Sequence, residues 1–280
     1  MHLDPEERID RRYRGKIKAV IFDWAGTVID YGSRAPAGVF VEVYKRHGVS
    51  ITLDEARGPM GMEKRAHIAA IAGMPGVGER WRRANGSDLG DADIDRMYDE
   101  FLPLQLACLP AYADLIPGAL ETVGALRARG IKVGTSTGYS RPLMDVVEAE
   151  ARRRGFVPDA VVCADDVPQG RPAPWMCFEN AKRLGVWPME ACVKVDDTVP
   201  GIEAGLNAGM WSIGVVKTGN EIGLSMAELE ALPVAERESR LQRGRERMLR
   251  AGAHVVIDGV DELMPLIDAI EARLGLGGRP

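Results

Sequence analysis

A chain of 280 residues that is 46% apolar and 28% charged has the composition of an ordinary globular protein. Disorder, a coiled coil and a collagen-like fibre are excluded, and a net charge of −5 offers no footprint for non-specific nucleic-acid binding. No apolar run approaches the roughly 20 residues that span a bilayer, and the charged start lacks the apolar stretch of a secretory signal. Cys108, Cys163, Cys177 and Cys192 are scattered without a CxxC, as free thiols in a reducing compartment would be. The expectation is a cytoplasmic enzyme with neither a membrane nor a nucleic-acid partner.

In chain order, a polar leader gives way to a short apolar run at 18–22 that reads as a strand. The stretch 31–112 then reads as helices at 35–47, 53–57, 63–72, 78–83 and 91–109. Beyond it, apolar strands at 131–134, 160–163, 192–195, 212–216 and 254–257 alternate with helical patterns at 119–129, 142–154, 174–184, 200–208 and 262–274. Such alternation predicts an α/β fold: a doubly wound, Rossmann-like parallel sheet covered on both faces, with its ligand site at the carboxyl ends of the strands. The first strand ends near Asp23 and the second near Thr137, whereas one crossover needs only about a dozen residues. The surplus predicts an inserted helical cap domain at 31–112, with the core formed by 1–30 and 113–280. The segment 218–250 is also longer than a crossover requires and reads as a helical excursion.

The strand ends carry the chemistry. Asp23 follows the first strand and precedes small residues, Ala25-Gly26-Thr27, where it is either a turn cap or a nucleophile and metal ligand. The second strand runs into Thr137-Gly138-Tyr139, hydroxyls beside a glycine that lets backbone amides approach an anion. Arg171 follows the third strand in a Gly-Arg-Pro loop, and Asp196-Asp197 at the fourth are paired carboxylates suited to a hard cation such as magnesium. Singly, each reads equally well as a cap, a surface charge or a solvated turn. Together, they make an anion-plus-magnesium site with an aspartate beside it.

This order of motifs resembles the haloacid dehalogenase superfamily of phosphotransferases, whose pattern is a nucleophilic Asp in DxxGT, a Thr/Ser, a Lys/Arg and paired acids. Ala25 departs from it. Phosphatases of the superfamily carry there a second Asp that protonates the leaving alkoxide, help worth about 10²–10⁴-fold. Lys64 offers a way round the loss. It opens a helix after Pro59-Met60-Gly61-Met62-Glu63, with His67 three residues on and so on the same face. Most lysines are solvated surface charges, but an amine in a cleft forms a Schiff base with a carbonyl when burial or nearby charge lowers its pKa. A protonated imine two carbons from phosphorus accepts the electrons of a breaking carbon–phosphorus bond, and no acid at position 25 is then required.

FDWAGT at 22–27, PMGMEK at 59–64, TGY at 137–139 and GRPAPWM at 170–176 resemble the phosphonatase (phosphonoacetaldehyde hydrolase) family. The likeness runs from about Lys18 to Ile267. It implies a magnesium-dependent homodimer, one ion per subunit and paired through the caps, that converts phosphonoacetaldehyde and water to acetaldehyde and phosphate. By position it makes Asp23 the nucleophile and Lys64 the Schiff-base amine. The ion falls to Asp23, the Ala25 carbonyl and Asp197. Thr137 and Arg171 take the phosphonate oxygens, Gly61 and Gly138 line the substrate site, and His67 and Tyr139 are candidates for proton relay and substrate contact. Many superfamily members have a further acid where this chain has Gly201, a loss that Asp196 is placed to compensate. Two other readings stand beside this one: a magnesium-dependent phosphate-ester phosphatase or mutase, and a catalytically silent binding protein on the same fold.

Overall fold

The structure, a computed structural model, describes residues 12–280; the first eleven residues of the charged leader lie outside the described residues. Strand β1 (Ala19–Phe22) leads into an insertion of five helices, α1 (Arg34–Arg46), α2 (Leu53–Arg57), α3 (Lys64–Ala72), α4 (Pro75–Asn85) and α5 (Asp91–Cys108). The chain then returns through α6 (Ala119–Ala128), β2 (Lys132–Ser136), α7 (Arg141–Arg153), β3 (Ala160–Val162), α8 (Trp175–Leu184) and β4 (Cys192–Asp196). It closes with α9 (Val199–Asn207), β5 (Trp211–Val215), α10 (Met226–Ala231), α11 (Val234–Arg250), β6 (Val255–Ile257) and α12 (Leu263–Gly275).

All six strands are parallel, in the order β3-β2-β1-β4-β5-β6. The doubly wound α/β fold is therefore correct. β1 is buried along its whole length because alternate residues serve opposite faces. Val20 and Phe22 join Val123 and Leu126 of α6, Val147 of α7 and Ile267 of α12; Ala19 and Ile21 join Cys177 and Leu184 of α8 and Ala204 of α9. Phe22 pairs with Thr135 on one side and Val195 on the other, so Asp23, Ser136 and Asp196 follow at one level. That level lies where strand order reverses about β1, the crevice in which doubly wound sheets hold ligands.

The inserted helices have a core of their own, in which Phe40, Tyr44, Ile68, Ile71, Trp81, Met97 and Phe101 are buried. Helix α4 is longer than the 78–83 expected from its sequence. Its glycines look like breakers, but Pro75 sits at the first turn, where its missing N–H costs nothing, and Gly86 closes the end at φ 78°. Glu63 proves to be the cap of α3 and not its first residue. Its carboxylate accepts from the backbone N–H groups of Arg65 and Ala66, both at 2.9 Å, and so fixes Lys64 at the first helical position. The segment 218–250 forms α10 and α11. Among the described residues, no helix is long and apolar enough to cross a membrane.

Candidate active site

Asp23 is still held by the sheet, its N–H donating to Val195 O at 2.9 Å. A tight turn follows in which Trp24 O accepts from the N–H groups of Thr27, Val28 and Ile29. Gly26 has φ +84°, and a Cβ there would lie 2.1 Å from Asp197 Oδ2, so only glycine fits. Arg171 enters from the loop after β3 and ties the strand ends together. Its Nη2 is 2.6 Å from Asp23 Oδ1 and donates to Ser136 O (2.5 Å) and Oγ (2.9 Å), while Nη1 lies 3.3 Å from Asp196 Oδ2.

The adjacent aspartates differ sharply in surroundings. Asp196 is bonded by Lys194 Nζ at 2.6 Å and by the N–H and hydroxyl of Thr198 at 3.0 and 2.7 Å. Burial opposes its ionisation, but Arg171 and Lys194 hold its pKa below the usual carboxylate range. Asp197 accepts from Asn220 N–H at 2.8 Å and Thr27 hydroxyl at 3.3 Å, and among the described residues no cation stands within ion-pair distance of it. Burial, then the charges of Asp23 and Asp196, push its pKa well up. Carboxylate oxygens of Asp23, Asp196 and Asp197 lie within 4.8 Å of one another. A buried carboxylate with no cation, beside a second one, fits a divalent metal ion that would remove the repulsion. At Gly201 a Cβ would lie 2.0 Å from Asp196 Cγ. The further acid of the superfamily would displace the carboxylate that Lys194, Thr198 and Arg171 hold.

The opposite wall comes from the insertion. Lys64 is 3% exposed, and its Nζ sits over the rings of Tyr139 (4.9 Å to the centroid) and Phe40 (5.7 Å). Burial lowers its pKa to about 8, against the pull of Asp23 and Glu63. Gly61, at φ +94°, lets the insertion backbone approach Thr198, whose Oγ1 would lie 2.3 Å from a Cβ there; at Gly138 a Cβ would come within 2.4 Å of Met62 O. The two walls therefore meet backbone against side chain, and backbone against backbone.

Asp23, Ala25, Thr137, Gly138, Tyr139 and Arg171 from the core and Gly61 and Lys64 from the insertion line one cavity of about 20 Å³. Its size admits about one water molecule. Thr137 Oγ1 accepts from Tyr139 N–H at 3.1 Å, and the Tyr139 hydroxyl is buried without a partner among the described residues. Two residues expected at the site do not line this cavity. Asp197 is packed against Gly26 and Gly219. His67 is fully buried, its Nε2 donating to Ala56 O at 2.8 Å and its ring 3.9 Å from that of Phe40. Burial and then the charge of Lys64 lower its pKa to about 3, which leaves the imidazole neutral, with a buried Nδ1 that has no partner among the described residues.

A protein-family model described as haloacid dehalogenase-like hydrolase matches residues 17–209. A phosphonoacetaldehyde hydrolase of Paraburkholderia phytofirmans is 49% identical over 264 residues, 94% of this chain and 99% of that one. Another, from Syntrophobacter fumaroxidans, is 46% identical over 97% of this chain and 98% of its own. This chain belongs to the phosphonoacetaldehyde hydrolase family of haloacid dehalogenase-like hydrolases. A crystal structure of a phosphonoacetaldehyde hydrolase-like protein from Oleispira antarctica superposes with a TM-score of 0.95 at 42% identity, covering 98% of this chain and 99% of that one. The chain is accordingly an enzyme, a hydrolase, with a buried carboxylate cluster able to hold a metal ion.

Sequence reasoning passed over several residues of the site. Ser33, Met60 and Thr198 also line the cavity. Lys194 left a signal, a lysine inside an apolar strand two residues before an aspartate, because such a charge is buried only when paired. Asn220, which bonds Asp197 from a loop after β5, left none.

Proposed function

We propose that the protein hydrolyses the carbon–phosphorus bond of phosphonoacetaldehyde to acetaldehyde and phosphate. The observation that carries this reading is Lys64. It is a buried amine with a lowered pKa, opening into the same small cavity as Asp23 and Arg171, beside an alanine at position 25. The Lys64 amine adds to the aldehyde carbon, the carbonyl oxygen leaves as water, and a protonated imine results. An Asp23 carboxylate oxygen then attacks phosphorus. As the carbon–phosphorus bond breaks, its electron pair passes toward the imine nitrogen, so the organic product leaves phosphorus as an enamine and no alkoxide needs a proton. Protonation at carbon and hydrolysis release acetaldehyde and free Lys64, while water cleaves the aspartyl phosphate. Arg171 and Thr137 hold the phosphonate oxygens, and Tyr139 and Gly138 shape the pocket floor.

Asp23, the Ala25 carbonyl and Asp197 would hold a magnesium ion, whose charge offsets that gathering on the phosphoryl oxygens. Asp196, committed to Lys194, Thr198 and Arg171, keeps Arg171 in place. Residues 31–112 serve as a cap over the core, and two copies pair through their caps in the cytoplasm. A phosphate-ester phosphatase is the weaker reading, since its alkoxide would lack the acid that Ala25 cannot supply. The test supplies phosphonoacetaldehyde or p-nitrophenyl phosphate with magnesium and measures acetaldehyde and phosphate, then adds borohydride with the aldehyde. Equal acetaldehyde and phosphate, little ester cleavage and a reduced adduct on the Lys64 peptide are expected. An adduct on another lysine, or ester cleavage alone, overturns the proposal.

A further inference from the structure

Lys64 lines the insertion wall of the site and Asp197 lies behind its core wall, and a cavity of about 20 Å³ cannot take up a phosphonate unless the two walls part. One polar junction connects the insertion to the metal-side carboxylate. Arg57 ends α2, and its guanidinium reaches out of the insertion. Nη1 donates to Gly32 O (2.9 Å) and Ser33 O (3.2 Å) in the connector and to Asn220 Oδ1 (3.3 Å), and Nη2 donates to Gly223 O (3.0 Å). Asn220 answers with Nδ2, which donates to Arg57 O at 3.3 Å, and its own backbone N–H donates to Asp197 Oδ2 at 2.8 Å.

The loop between these groups is pressed flat from both sides. A Cβ at Gly223 would come within 2.7 Å of Arg57 Nε, and one at Gly219 within 2.5 Å of Asp197 Cβ. Asn220 is 5% exposed, so while the insertion is seated its side-chain amide depends on Arg57 for its bonds. We propose that Arg57 and Asn220 are positioning residues that couple the seating of the inserted helices to the orientation of the Asp197 carboxylate. With the insertion seated, Arg57 clamps the loop through the Asn220 side chain, and the Asn220 backbone N–H and the Thr27 hydroxyl together fix Asp197. When it lifts, the Asn220 side chain loses its partner, the loop that carries the backbone N–H is no longer clamped, and only the Thr27 bond on the core side still directs the carboxylate. The ion's site is thus complete only when Lys64 is also in place.

The inference takes its activity readout from the function proposed above, and its metal readout does not depend on that function. Magnesium binding is measured by calorimetry on wild type, Arg57→Ala, Arg57→Lys and Asn220→Ala. It is accompanied by kcat and KM with phosphonoacetaldehyde and by thermal melting. Arg57→Ala, which touches no carboxylate of the site, is expected to weaken magnesium binding about tenfold and to lower kcat more than it raises KM. Asn220→Ala is expected to do the same, and the double variant to be no worse than either, as for residues acting as one unit. Arg57→Lys keeps the charge without the fork and is expected to resemble Arg57→Ala. Magnesium affinity and kcat within about twofold of wild type in Arg57→Lys and Asn220→Ala, with only melting altered, refutes the coupling. Additive losses in the double variant refute it too. A wild type that binds magnesium but leaves phosphonoacetaldehyde intact sinks the proposed function and leaves the coupling to be decided by calorimetry.

Discussion

On the core side of the cavity, two of the three aspartates are paired with cations. Arg171 lies 2.6 Å from Asp23 and 3.3 Å from Asp196, and Lys194 lies 2.6 Å from Asp196, all of them buried. On the side of the inserted helices charge is discouraged, because burial of Lys64 between Phe40 and the core's Tyr139 lowers its pKa to about 8. A carboxylate must be ionised to attack phosphorus, and an amine must be neutral to attack a carbonyl. The two groups differ in partners: burial raises the pKa of Asp23 while the Arg171 guanidinium opposes that rise, and burial lowers the pKa of Lys64. In the proposed reaction, dense pairing would serve the phosphoryl half and burial the imine half.

The strongest way to break the contrast is to remove the anion from the core side. Asp23→Asn keeps the shape and loses the proposed nucleophile, and phosphate release should fall about 10⁴-fold or more with folding intact by circular dichroism. Substantial turnover in this variant contradicts covalent transfer to Asp23. On the other side, Lys64→Arg retains charge but stays protonated and cannot add to an aldehyde. Turnover should drop by about 10³-fold or more, and borohydride should no longer inactivate. Persistent borohydride inactivation would place the imine elsewhere.

Within the core side, the two neighbouring aspartates should part company. Asp196→Asn leaves Lys194 buried without its anion and should cost about 3 kcal/mol in urea unfolding. Asp197→Asn removes a carboxylate that pairs with no cation, so stability without magnesium should hold or rise, while the magnesium needed for half-activity climbs about tenfold. The reverse assignment would make Asp196 the metal-side carboxylate. The gentlest probe is pH. The folded pKa of Lys64 lies below its ordinary value, so the reactive neutral amine is scarce under a pH of about 8 and plentiful above it. kcat/KM should therefore rise about tenfold per unit below 8 and level off above it, and Phe40→Ser, which wets the pocket, should move that limb upward. A limb left where it was would separate the apolar wall from the lysine's pKa.

Much of the site could be read along the chain. Asp23, Thr137, Arg171 and Asp196-Asp197 announce themselves because each stands where a short apolar run stops, and a parallel sheet delivers all strand ends of one direction to one edge. Lys64 was legible through its motif and through the alanine at position 25. The helices of the insertion followed from periodicity, apart from α4, where proline and glycine act as first-turn and terminal residues instead of breakers.

Other features had no local signature, for a physical reason. Strand ends, caps and helix faces depend on neighbours a few residues away, and those neighbours are written in the sequence. Whether a side chain is desolvated, and by what, depends on groups brought close only by packing. His67 lies on the face of Lys64, yet its Nε2 is spent on Ala56 O and its ring on Phe40. The absence of an acid at Gly201 reads as a gap in a motif until the helix start is seen pressed against Asp196. Arg57 and Asn220 stand 163 positions apart and meet only because the insertion folds back over the loop after β5. The sequence determined the fold, the order of polar groups along the sheet edge and the lysine that faces them. The tertiary structure decided which aspartate is satisfied, which one lacks a cation and how the two walls are joined, because dielectric and contact exist only once the chain is packed.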